Sequence, residues 1–146
     1  KRQVFFRSLE TSRLAVVPLT RIGLGIPYTW AGMTVRRMGT RVEYVSRRRW
    51  PDRGLRSRLE VEIGEPVEPT DLEQWLTARW GAHTRVAGRT LWVPNQHSSW
   101  PLHRADIVHL DDDLLDASGV RAAGPPLRAL WSPGVRTQFG RPSIVA

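Results

Sequence analysis

Cysteine is absent from the 146 residues and lysine occurs once, at Lys1. The first absence excludes a disulfide framework and any thiolate metal site, and it makes a cytoplasmic address the expectation. The second leaves no ε-amine in residues 2–146 to form an imine with a carbonyl substrate. Long hydrophobic runs are lacking too. The longest uncharged apolar stretch, residues 14–19, falls far short of the roughly 20 residues that a membrane-spanning helix needs, and no signal-peptide pattern is seen, so no membrane partner is expected. Repeats, heptads and low-complexity segments are missing as well. What the chain has instead is tryptophan: seven, against three phenylalanines and two tyrosines. Each indole N–H needs a partner or a wet edge, which suits the wall of a barrel or cleft.

The length fits a single domain, residues 1–146, able to bury a core. The formal charge of +8 raises nucleic acid as a partner. Nearly all of that charge is arginine, and much of it alternates with apolar residues. In residues 56–63 one strand face is Ser57, Leu59, Val61 and Ile63, and the other is charged. Arg47, Arg48, Arg49 and Arg53 form a denser run, read as a solvated or partner-facing surface, with a phosphate-contacting loop as the alternative. No exposed aromatic platform or nucleic-acid fold motif accompanies the charge, so nucleic acid is not the expected partner.

Elements are short and mostly extended. A strand opens at Val4, Phe5 and Phe6, an abrupt start that suggests residues ahead of Lys1. Thr11 or Ser12 can cap a helix containing Leu14, Val17 and Leu24 that stops at Gly25, with a kink or restart at Pro18. Residues 28–36 and 41–49 read as a hairpin around Gly39. Thr70, Asp71, Leu72 and Glu73 make a capping box before a three-turn helix with Leu72, Trp75, Leu76 and Trp80 on one face. Strands follow at 83–86, 90–97 and 106–110. Asp111, Asp112 and Asp113 begin a brief helix closed by Gly119. A last strand pair, 127–132 and 135–139, joins at Pro133 and Gly134. The expected class is mainly β (α+β), antiparallel, with two or three short helices.

Two stretches could carry chemistry. One runs from Gly25 through Pro27, Tyr28 and Trp30. The other is His97-Ser98-Ser99-Trp100-Pro101-Leu102, in which a titratable ring stands beside a tryptophan fixed by proline, as a small pocket with one polar anchor requires. The alternative for His97 is a ring that bonds backbone at a turn. A metal is not expected, since His83, His97, His103 and His109 show no helical ligand spacing and the triple aspartate lacks the pattern of a calcium loop. No nucleophile elbow surrounds Ser98 or Ser99.

Four segments in register carry a resemblance: Gly25-Ile26-Pro27-Tyr28 with Trp30-Ala31-Gly32-Met33; Val42-Glu43-Tyr44-Val45-Ser46-Arg47-Arg48; Leu76-Thr77-Ala78-Arg79-Trp80 with His83-Thr84; and His97 to Leu102. With them the chain resembles the YqjF-like family of uncharacterised bacterial proteins, in the acetoacetate decarboxylase-like superfamily. One departure is Ser99, where the family commonly has proline. The resemblance implies an antiparallel β-barrel or β-cone with helices outside. This chain would supply its C-terminal part, and an N-terminal segment or another chain would complete it. In acetoacetate decarboxylase a Gly-x-Pro-Lys-Lys segment supplies the Schiff-base lysine; here Tyr28 and Thr29 stand at the two lysine positions and cannot form an imine.

Two function classes follow. The first is a protein binding a small carboxylate or carbonyl compound through Tyr28, Trp30, His97 and Trp100, without cofactor. The second is a lysine-independent lyase or isomerase in which Tyr28 and His97 serve as catalytic acid and base on an enolisable carbonyl compound. A homo-oligomer is compatible with either.

Overall fold

The computed structural model describes residues 4–145, and strands dominate it. β1 (Val4–Phe5) and β2 (Leu9–Thr11) precede α1 (Val16–Leu24). The expected hairpin follows as β3 (Tyr28–Met38) and β4 (Arg41–Trp50), then β5 (Arg56–Val67), α2 (Asp71–Thr77), β6 (Gly81–Val86) and β7 (Arg89–Gln96). β8 (Leu102–Asp112), α3 (Leu114–Ala117), β9 (Ala129–Trp131), β10 (Gln138–Phe139) and β11 (Ser143–Val145) complete the chain.

Six strands in the order β2-β3-β4-β5-β8-β9 form a sheet curled into a half-barrel. Its interior is built by alternation. Val42 and Tyr44 of β4 stand opposite Val61 and Leu59 of β5, and Ile63 stands opposite Ala105 of β8. Val42, Val61, Ile63 and Ala105 are buried together, with Tyr44, Leu59, Ala129 and Trp131 packed against them. A second sheet runs β1-β6-β7-β10, with β11 also on β7. Two parallel pairs, β1 on β6 and β2 on β3, tie the first residues to both sheets.

Several expectations are corrected. Thr11 belongs to β2, where its hydroxyl accepts from the Arg13 amide, and α1 starts after Ala15 without a side-chain cap. Pro18 causes no break because it lies in the first turn, where its missing N–H would have had no intrahelical partner. Gly25 ends α1 in the left-handed region at φ 63°, as expected. The capping box forms, but α2 has seven residues and ends before Trp80. It also lies with Glu73 buried and Leu72, Trp75 and Leu76 exposed. Asp111 and Asp112 finish β8, which is longer than expected, and the Asp112 carboxylate then accepts from the Leu115 amide at the start of α3. The last two strands do not pair with each other: β9 joins β8 and β10 joins β7, so Pro133 and Gly134 link the sheets rather than turn a hairpin.

Candidate ligand-binding site

Two adjoining cavities open beside α2. One, of about 270 Å³, is lined by Trp80, His97 and Trp100 with Gln74 and Thr77. The other, of about 410 Å³, lies over the interior of the half-barrel among Tyr44, Leu59, Val61, Leu102 and Trp131. Thr77 and Trp100 line both, so the two adjoin along a shared side of one tryptophan-walled groove. None of the seven tryptophans is fully buried, and three of them, Trp80, Trp100 and Trp131, line these cavities.

His97 stands one residue beyond β7. Its ring stacks on Trp80 (centroids 4.8 Å apart, planes at 20°) and meets the edge of Trp100 at 5.9 Å. Nδ1 is 2.7 Å from the Ser98 carbonyl oxygen and Nε2 is 3.2 Å from that of Arg79. A carbonyl only accepts, so the ring N–H can donate to one of the two, and both nitrogens face backbone rather than the cavity. The geometry makes His97 a wall that clips two loops together.

Tyr44 brings a phenolic hydroxyl to the wall of the larger cavity. Trp131 Nε1 donates to Tyr44 Oη at 2.9 Å, which leaves the phenolic proton available to a bound oxygen. Thr77 donates its hydroxyl to the Glu73 carbonyl at 2.8 Å and so offers a ligand only an acceptor. Behind this wall the buried Glu73 carboxylate accepts from the Thr70 amide at 2.7 Å, and its other oxygen is 2.9 Å from Arg128 Nε. The backbone hydrogen bond at Thr70 is the main cause holding the Glu73 carboxyl below its ordinary range, with the Thr70 hydroxyl and Arg128 adding to it against the opposing effect of burial.

The structure brings His97 and Trp100 together and leaves Tyr28 and Trp30 elsewhere. Both lie at the start of β3 and line neither cavity of the groove. The Tyr28 carbonyl accepts from Arg21 Nη1 at 2.9 Å, and Trp30 is covered by the Arg49 guanidinium at 5.0 Å. Tyr44, Thr77, Trp80 and Trp131 were not among the sequence candidates. Tyr44 could have been found by period-two alternation, since it shares a face with Val42 opposite the apolar face of β5. Trp131 gave no such signal, because β9 is only three residues long. Among the described residues no three metal-ligating side chains come together, and no helix is long and apolar enough to cross a membrane.

The chain is thus a mainly β protein whose curled six-stranded sheet opens at its interior into an aromatic groove. The chain belongs to the DUF2071 family, described as an uncharacterized conserved protein, whose profile matches residues 1–136. It is also 25% identical over 122 residues to the uncharacterized protein YqjF of Bacillus subtilis strain 168, a match covering 82% of this chain and 50% of that protein. The chain thus spans about half the length of this curated relative. No solved structure gives a significant match.

Proposed function

We propose that the protein binds a small organic compound through a carbonyl or carboxylate oxygen in the tryptophan-walled groove. The observation that carries this reading is the Tyr44 hydroxyl, held by Trp131 at 2.9 Å with its proton uncommitted, in a cavity whose lining is apolar apart from Tyr44, Thr77 and Ser132. A ligand body would rest on Leu59, Val61 and the indoles, while its oxygen accepts from Tyr44. His97 and Trp100 contribute shape. Tyr28 and His97 as a catalytic pair gain no support, because they line no common wall of this groove. The accompanying fold reading is the C-terminal part of an acetoacetate decarboxylase-like barrel, supported by the curl of the six-stranded sheet and by the edge positions of β2 and β9.

The test is a thermal-shift screen of small ketones and carboxylic acids, followed by titration of tryptophan fluorescence with the best compound. Tyr44→Phe should weaken binding about tenfold, the equivalent of one hydrogen bond of roughly 1.4 kcal/mol. That variant also strands the Trp131 N–H, so affinity is read per folded molecule. Unchanged affinity in Tyr44→Phe would remove the proposed anchor.

A further inference from the structure

A separate cavity of about 430 Å³ lies where the two sheets meet α1 and α3, lined by Arg7, Arg21, Arg48 and Arg85 with Ser8 and Thr29. These cations come from the β1–β2 connection, α1, β4 and β6, which are far apart in sequence. Arg48 is only 5% exposed; its Nε donates to Glu10 at 2.7 Å and its Nη2 to Ser8 Oγ at 2.9 Å. Arg7 and Arg21 are anchored differently, each donating to a backbone carbonyl, of Ser118 at 2.6 Å and Tyr28 at 2.9 Å. A carbonyl positions a guanidinium without neutralising it. Arg85 is exposed and makes no ion pair among the described residues.

The electrostatic balance selects the ligand. Four guanidiniums face two carboxylates, Glu10 on Arg48 and the exposed Asp52 lining the cavity at 3.9 Å from Arg48 Nη1, which leaves two positive charges. Guanidinium forks match the planar oxygen pairs of phosphates and carboxylates, and a net charge of two suits a dianion better than a monoanion. The approach that creates this site is built in at Gly25. A Cβ there would collide with the Arg85 carbonyl, so only glycine lets the α1–β3 corner lie against β6 and share the cavity with Arg85.

We infer that this cavity binds a dianionic phosphate group, independently of the tryptophan-walled groove. Free phosphate and a small phosphomonoester share the chemistry, and Phe5, Phe6 and Pro27 on the cavity wall offer an ester's organic body an apolar surface. Both carry roughly 1.5 to 2 negative charges near neutral pH.

The experiment is calorimetric titration at physiological salt with inorganic phosphate, phenyl phosphate and, as a monoanion of similar body, benzoate. Phenyl phosphate or phosphate should bind at least tenfold more tightly than benzoate, and whichever of the two binds tighter identifies the source. Arg85→Gln, which touches an exposed and unpaired side chain and so leaves folding intact, should weaken phosphate binding about tenfold. Arg21→Gln should act in the same direction. Arg36→Gln removes the same charge from an exposed position on β3 outside the cavity and should change affinity less than twofold. Equal binding of benzoate, equal losses in Arg36→Gln and Arg85→Gln, or binding of neither phosphate compound by the unmodified chain would each overturn the assignment.

Discussion

Replacing Glu10 with glutamine tests whether the middle arginine of the basic run is structural. Glu10 Oε1 accepts from Arg48 Nε at 2.7 Å and from the Thr29 hydroxyl at 2.8 Å, and Oε2 accepts from the Ser46 hydroxyl at 2.9 Å. Glutamine keeps the shape and one acceptor oxygen but removes the charge, stranding a guanidinium that is 5% exposed. Breaking a buried pair in this way typically costs about 3–5 kcal/mol. The retained oxygen, the Ser8 hydroxyl and the distant Asp52 favour the lower end, so about 3 kcal/mol is expected. Against a total of about 5–15 kcal/mol that is a large fraction, and it corresponds to a fall in Tm of roughly 10 °C. Urea denaturation at neutral pH measures it directly. Arg48→Met combined with Glu10→Gln should be less unstable than the sum of the single variants, because the double variant strands no charge. A loss below about 1 kcal/mol in Glu10→Gln, or strict additivity in the cycle, would refute the reasoning.

The remaining expectations are narrower. Glu73 is held below its ordinary carboxyl value of 4.5 in the folded state, so its stabilisation is fully present above that value and is lost as pH falls through the depressed folded value. Glu73→Gln should therefore show a shallower loss of stability below pH 4.5 than the unmodified chain, as read from acid titrations of the urea midpoint. Gly81→Ala drives a Cβ into the Trp92 ring and should destabilise by about 1–3 kcal/mol, checked by thermal melts. Treatment with pyruvate or acetoacetate and borohydride should leave no adduct on residues 2–146, because no lysine lies there; peptide mass mapping checks this.

What the sequence disclosed depended on the range of the interaction. The β3–β4 hairpin, the Gly25 stop and the Thr70–Glu73 box are local, each set by residues within a few positions, and all three form. The Arg47–Arg48–Arg49 run reads from the sequence as a solvated or partner-facing surface, and strand alternation sets its middle member apart. Arg47 and Arg49 are exposed, Arg49 lying over Trp30, while Arg48 turns inward to Glu10, a residue 38 positions earlier that no local pattern connects to it. The last strands were wrongly paired for a related reason. Pro133 and Gly134 have the chemistry of a tight turn, but each short strand finds a longer partner already in place, β9 on β8 and β10 on β7.

The two halves of the candidate site differ in the same way. His97 and Trp100 are three residues apart, so a proline-fixed aromatic beside a histidine was enough to place them on one wall. Tyr44 reaches that wall from another sheet, and its hydrogen bond to Trp131 spans 87 positions. The arginine cavity draws on even more distant segments, and its charge could not be told from ordinary surface charge until burial separated Arg48 from its neighbours. Tryptophan was therefore the more informative composition signal. Three of its seven rings, Trp80, Trp100 and Trp131, line the groove, which is also where an organic ligand would be held.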